Sequence, residues 1–303
     1  DLQNAMGALG PHDVFLNLYI NGLHWGMYDV HERPDEDFQA AYLGGVAEDY
    51  DVLKHNRDTV VNGTTIAFDD LLDNRLSDLA TLANYERLLE RLDAADFADY
   101  MIVNLYIGNN DWSHQNWYVG RDRVRPGALF RFFSWDAEHA IDLGVTWDEF
   151  ALDAQDGGSP WVIFNAARKN AEFKLLFADR AHRHFLNGGV LYVDPSAPAW
   201  NPDEPDRTMP TARYMRRIEE IDALIVIESA RWGDYRRTLP YTRADWLVEL
   251  NKLLANWFPQ RSQVVLGHFV REGLYTAVGA PVFSQHGGLV PPGFTLAMTK
   301  PAG

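Results

Sequence analysis

Asp93-Ala94-Ala95-Asp96-Phe97 opens a run that continues through Tyr100-Met101-Ile102-Val103-Asn104-Leu105-Tyr106 and ends in Gly108-Asn109-Asn110-Asp111-Trp112-Ser113-His114-Gln115-Asn116. Asp93 reads as a helix N-cap, with an acid three positions on at Asp96. Phe97, Tyr100, Met101, Val103, Leu105 and Tyr106 then leave almost no polar face, which predicts a buried central helix. That helix runs directly into a polar loop holding a carboxylate, Asp111, and an amide, Asn116. Two short β-like runs follow, at residues 117–119 and 129–135, separated by a basic turn containing Pro126-Gly127. The second run ends in Trp135-Asp136-Ala137-Glu138.

Outward from this core, residues 14–20 alternate apolar and polar, and Asn21-Gly22 is the strongest short hairpin signal. Leu23–His31 is the returning strand. Glu32-Arg33-Pro34 breaks it, and residues 35–42 have helical spacing closed by Gly44-Gly45. Tyr50–Lys54 is a short strand, followed by a polar loop with Asn62-Gly63. Residues 85–92 place Leu88, Leu89 and Leu92 on one helix face. Further helices are predicted over residues 164–186, 211–228 and 243–257, with a proline-rich connector at 194–207. After Leu274 the composition turns to Gly, Pro and short apolar runs, reading as strand and loop.

The chain has 303 residues, 47% hydrophobic and 23% charged, which excludes disorder as its main state. No run of about 18 apolar residues exists, so a membrane-spanning helix is excluded. No basic region followed by an apolar stretch stands at Asp1, so no signal peptide is read there; the opening reads as the continuation of an upstream segment. The net charge of −16 argues against coating nucleic acid, which needs clustered Lys and Arg. Cysteine is absent, which removes disulfide scaffolds, thiolate zinc sites and cysteine nucleophiles together. Ten Trp is a high count, and several stand in polar, Asp-rich loops.

Helix, loop with Asp-x-x-x-x-Asn, strand, turn, strand, Asp is the order of parts in the catalytic core of protein kinases. The chemistry explains the pattern. One Asp meets the acceptor hydroxyl, while an Asn and a second Asp offer hard oxygens to a Mg²⁺ on the phosphates. Asp-x-x-x-x-Asn alone is also a common way to turn a surface loop; the helix before it and the strand-Asp after it give it meaning. No phosphate-binding Gly-x-x-x-x-Gly-Lys loop, Ser-centred elbow or His-Glu-x-x-His is present.

The family resemblance rests on five stretches. They are Leu18-Tyr19-Ile20-Asn21-Gly22-Leu23-His24-Trp25-Gly26-Met27-Tyr28 with Glu32-Arg33-Pro34-Asp35, then Asp99-Tyr100-Met101-Ile102-Val103-Asn104, Asn110-Asp111-Trp112, Asn116-Trp117-Tyr118 and Trp135-Asp136-Ala137-Glu138. In this order they resemble the spore-coat protein H (CotH) kinase family, atypical kinases distantly related to protein kinases. Glu228-Ser229-Ala230-Arg231-Trp232-Gly233-Asp234 is similar to a signature of its larger exported bacterial members. The resemblance covers about residues 5 to 275. It implies an α+β, atypical protein-kinase-like fold: residues 1–34 the remainder of a small lobe with its β-hairpin, residues 35–275 a mainly helical large lobe. Residues 276–303 resemble a linker and the first strands of a chitobiase-type β-sandwich module. The family implies ATP with Mg²⁺ or Mn²⁺, Ser or Thr acceptors on a secreted or surface protein, and an extracellular or cell-envelope location. Asp111 would be the catalytic Asp, Asn116, Asp136 and Glu138 metal ligands, and Glu32 would lie at the hinge beside the adenine.

A kinase also needs a lysine on the phosphates, from a strand before that hairpin. Lys54 is the only lysine ahead of Asp111. The expectation is that the lysine lies upstream of Asp1; Lys54 as a substitute, or a piece not competent for transfer, are the alternatives. A reading from another class is a kinase-like module that binds nucleotide or calcium as a structural part of an extracellular protein. Three further groups read as structure. Asp179 and His182, at i, i+3, belong to a solvated helix face, and His182 and His184 cannot share a face. Asp153-Ala154-Gln155-Asp156-Gly157-Gly158 has two carboxylates near glycines but lacks the oxygen spacing of a calcium loop. Glu228 to Asp234 reads as a structural corner, with a substrate-side ion pair as the alternative.

Overall fold

Asn21 and Gly22 both adopt positive φ (51° and 81°), the backbone that a tight two-residue turn requires. They join β1 (Asp13–Ile20) to β2 (Leu23–His31) as a separate two-stranded antiparallel sheet, preceded by the short helix α1 (Leu2–Ala5). The computed structural model describes residues 1–152, 158–235, 237–278, 281–285 and 289–299. After the hairpin, Asp35 caps α2 (Glu36–Leu43) by accepting from the Phe38 amide at 3.1 Å. β3 (Tyr50–Lys54) and β4 (Val60–Asn62) then join β5 (Trp117–Asp122) and β6 (Arg131–Ser134) in a four-stranded antiparallel sheet of order β4-β3-β5-β6. The fold is therefore α+β.

This sheet is the frame of the molecule. One face carries a small cluster of Phe38, Tyr50, Val52, Tyr118 and Phe133, covered by α2. The other face meets the main core through Phe132, Val119 and Trp117. At the centre of that core lies α5 (Ala94–Ile107), reached through α3 (Ile66–Asn74) and α4 (Leu82–Leu89). Asp93 accepts from the Asp96 amide as its N-cap, and every residue of α5 except Ala95 and Ile107 is buried. Its all-round apolar surface is satisfied by the sheet on one side and helices on the other.

The C-terminal half supplies those helices: α6 (Ser159–Ala167), α7 (Ala171–Phe185), α8 (Met209–Trp232), α9 (Arg243–Lys252) and α10 (Phe258–Arg271). On α7 the stripe Phe173, Phe177, Ala181 and Phe185 recurs every four residues and is fully buried. Each large apolar side chain so placed contributes roughly 1.5–3 kcal/mol. α8 braces the hairpin: Glu228 accepts from the Met27 amide at 2.6 Å, and the Trp232 indole donates to Trp25 O at 2.6 Å. The Glu228 to Asp234 segment is thus a structural corner. No helix among the described residues is long and apolar enough to cross a membrane.

Several elements differ from the sequence expectation, each for a local reason. The helix expected over 164–186 is broken: the Asn170 side chain accepts from the Glu172 and Phe173 amides and donates to Leu79 O, ending α6 and starting α7. The helix expected to stop at Trp257 continues to Arg271. A five-residue π-helical turn, Leu253–Trp257, absorbs Pro259, which lacks an amide to donate. The helix expected over residues 85–92 starts three positions earlier, and α3 had not been expected in its Asp-rich segment. In the tail, β7 (Val282–Phe283) pairs with β8 (Met298–Thr299). The acidic loop considered for calcium falls on residues 153–157, outside the described residues.

Candidate active site

Gly108 ends α5 in the left-handed conformation (φ 62°) and turns the chain into the loop that carries Asp111. Two tryptophans pin this loop from beneath: Trp112 donates to Tyr100 Oη at 2.6 Å and Trp117 donates to Ser113 O at 2.9 Å. This accounts for indoles in so polar a sequence, since their rings are buried while their N–H groups hold the loop. Ser113 and Asn116 also adopt positive φ (71° and 58°). Gly158 supports the loop at such close range that a Cβ there would fall 1.5 Å from Ser113 O, so no other residue fits.

The Asp111 carboxylate is consequently held from several sides. Gln115 donates to Oδ1 at 2.6 Å, and the Asn116 amide nitrogen donates both to Oδ2 and to the Asp111 backbone carbonyl, each at 3.0 Å. His114 Nε2 lies 3.3 Å from Oδ1. The Asn116 backbone amide donates to His55 Nδ1 at 3.0 Å, which ties the loop to the end of β3. His55 is itself at positive φ (62°), and its pKa lies below the ordinary value. Burial is the main cause and the Lys54 charge adds to it, while Asp136 opposes both.

β6 delivers the second group. Trp135 lies between His31 and Tyr118, with ring centroids 5.0 and 5.2 Å away, and Asp136 follows at φ 51°. A hydrogen-bonding contact with the Asp136 carboxylate is the main cause holding the Glu138 pKa above its usual range. One ligand atom each of Asp111, Glu138 and His139 lies within 4.8 Å of the others. Asp111, Asn116, Asp136 and Glu138 are therefore brought together, with Glu138 bridging between the two Asp residues. His139 is tied to Asp142 at 3.3 Å, and that bond chiefly raises its pKa.

Two candidates stand apart. Lys54 ends β3 opposite Tyr118, half-buried, and its ammonium makes no ion pair among the described residues. Glu32 spends its carboxylate on His12, through amide and ring, and on Tyr42 Oη at 2.8 Å. Sequence reasoning missed the imidazoles of His55, His114 and His139. A signal existed for two of them, since His114 and His139 each follow a site Asp by three positions. Of the helical histidines, His182 meets Tyr275 Oη and His184 meets Asp99, on different faces.

The end of α5 is anchored from far away. Arg261 of α10 is only 1% exposed, and its guanidinium donates to Leu105 O and Tyr106 O at the end of α5 and to Val145 O and Trp147 O. Burial lowers its pKa to about 10, so it stays charged. The Ile141 amide donates to Ile107 O at 2.8 Å, joining the segment after Glu138 to the same helix end.

The donor set suits a hard divalent cation: carboxylates that crowd one another, with an amide close by. Asp136 and Glu138 also line a cavity of about 610 Å³, a volume that accommodates a nucleotide-sized ligand. Its other walls come from the base of the hairpin, the end of α5 and the first turns of α8. No curated protein matches the chain. The family model described as CotH kinase protein matches residues 1–184, which include the hairpin, α5 and every site residue above except Arg261. With more than half its length matched and a mixed helix-and-sheet, kinase-like architecture around these acids, the chain belongs to the CotH kinase family.

Proposed function

We propose that the chain is a metal-dependent phosphotransferase that moves the terminal phosphoryl group of ATP to a Ser or Thr hydroxyl of a secreted or surface protein. The observation that carries this reading is the convergence of Asp111 with Asp136 and Glu138, the latter two on the wall of a nucleotide-sized cavity. Asp136 and Glu138 would hold Mg²⁺ or Mn²⁺, joined by the Asn116 amide oxygen, since the Asn116 nitrogen is committed to Asp111. The ion supplies charge neutralisation and a template for the phosphates when bound. Asp111, kept in place by Gln115 and Asn116, orients the acceptor hydroxyl and takes its proton as that oxygen bonds to phosphorus and ADP departs. Lys54 and Glu32 belong to the reading as phosphate-side and adenine-side residues. An extracellular or cell-envelope location and a β-module tail complete it; the pairing of β7 with β8 agrees with the latter.

The test is incubation of the protein with labelled ATP and Mg²⁺ or Mn²⁺ beside calorimetric binding of the metal–nucleotide pair. Asp111→Asn is expected to reduce transfer by roughly 10²-fold or more while binding persists. Asp136→Asn is expected to weaken binding itself, because a neutral amide oxygen is a poorer ligand. Equal loss of binding in both variants would defeat the assignment of roles. Metal or nucleotide binding by the wild type without any transfer would leave a nucleotide- or calcium-binding module instead.

A further inference from the structure

Phosphate groups entering this cavity need cations, and its wall is rich in acid: Asp1, Asp13 and Asp29 line it beside Asp136 and Glu138. Lys54 does not line it. Among the described residues its only Lys or Arg side chains are Arg213 and Arg217, which stand at i, i+4 on one face of α8. Their present partners differ. Arg217 donates to Asp13, pairs with Glu220 at 2.7 Å, and lies over the Phe15 ring. Arg213 reaches only Asp1, at 3.2 and 3.3 Å, and its Nε is buried without a hydrogen-bond partner. A buried guanidinium N–H without an acceptor is costly, and the planar guanidinium fork matches phosphate oxygens.

We propose, resting on the phosphotransferase reading, that Arg213, supported by Arg217, is the principal cationic holder of the nucleotide's phosphates in this chain. α8 lies beyond residues 1–184, so this device is contributed from outside the family-matched stretch. The carboxylates of the wall make metal-bound phosphate the form accepted. Asp136 and Glu138 would hold the cation, and Arg213 would meet phosphate oxygens.

Calorimetric titration of the whole chain with Mg·ATP, Mg·ADP and adenosine tests this. Arg213→Gln is expected to weaken Mg·ATP and Mg·ADP by about 10-fold or more and to leave adenosine unchanged. Arg217→Gln is expected to have a smaller effect, about threefold, because its charge is already shared. Arg213→Lys is expected to recover only part of the loss, since an ammonium lacks the fork; melting curves for both Arg213 variants separate misfolding from lost binding. Unchanged Mg·ATP affinity in Arg213→Gln overturns the proposal, and loss in Lys54→Gln alone gives the phosphates to Lys54. If the wild type binds no Mg·ATP, the phosphotransferase reading falls. The arginines are then judged with Mg·tripolyphosphate, where Arg213-dependent binding sustains the anion site and absence of binding overturns it.

Discussion

The two ends of α5 gather carboxylates in opposite ways. At its N-terminal end Asp93 and Asp96 meet Arg131 at 3.0 and 3.3 Å, and the buried Asp99 accepts from Arg180 and from His184. Asp93 and Asp96 also face the positive end of the helix dipole. At the C-terminal end Asp111, Asp136 and Glu138 crowd together where the dipole is negative. There, among the described residues, only the half-exposed imidazoles of His114 and His139 pair with Asp111 and Glu138, and no Lys or Arg does. One cluster is paired with cationic side chains of the chain; the other has no Lys or Arg partner among the described residues.

The contrast breaks most sharply at Asp99. Asp99→Ala strands Arg180 and His184 in the core and is expected to cost roughly 3–5 kcal/mol in urea unfolding. A loss below about 1 kcal/mol would mean that this cluster is not the saturated one.

Asp96 sharpens the same end through pH. Burial raises its pKa from 3.8 to about 7 despite Arg131. The folded chain keeps a proton there that the unfolded chain has released, so this contribution to stability falls as pH rises from about 4 to 7. Asp96→Asn is therefore expected to be more stable than wild type at pH 8, by roughly 2–4 kcal/mol, with the difference closing near pH 4. A variant less stable than wild type at pH 8 would show that the Arg131 pair outweighs burial.

At the other end the sign should reverse with metal. Saturating Mg²⁺ or Mn²⁺ at about 100 times Kd is expected to stabilise the wild type by roughly 2.7 kcal/mol, seen as a higher Tm, and Asp136→Asn far less. Without metal, Glu138→Gln relieves the contact with Asp136 and is expected to raise stability slightly, by roughly 0.5 kcal/mol. A Tm indifferent to divalent ions would erase the distinction between the two ends.

Both the central helix and the hairpin were legible in the sequence because their signals are local: an Asp cap with an acid three residues on, and Asn-Gly between alternating strands. The site acids were legible as a pattern, since one helix and two strands impose the order in which Asp111, Asn116 and Asp136 arrive. Long-range facts were not legible. Asn170 interrupts an apolar stretch only because Leu79 O waits for its amide nitrogen, and Gly158 is required only because Ser113 passes above it. Pro259 reads as a helix stop until the π-helical turn before it is seen. Arg213 carries no local mark at all; its meaning comes from the cavity it lines.

Arg261 sets an order of assembly. The four carbonyls it gathers lie 114 to 156 residues earlier in the chain, so the link between the end of α5 and the segment of Val145 and Trp147 closes only after α10 exists and docks. Closing so long an interval comes late in folding, after local helices and the Asn-Gly hairpin have formed. During synthesis, the end of α5 and the segment of Val145 and Trp147 would be joined last, when Arg261 has left the ribosome. The joint between the end of α5 and the stretch that follows Glu138 would thereby stay open in the nascent chain until its C-terminal helices are in place.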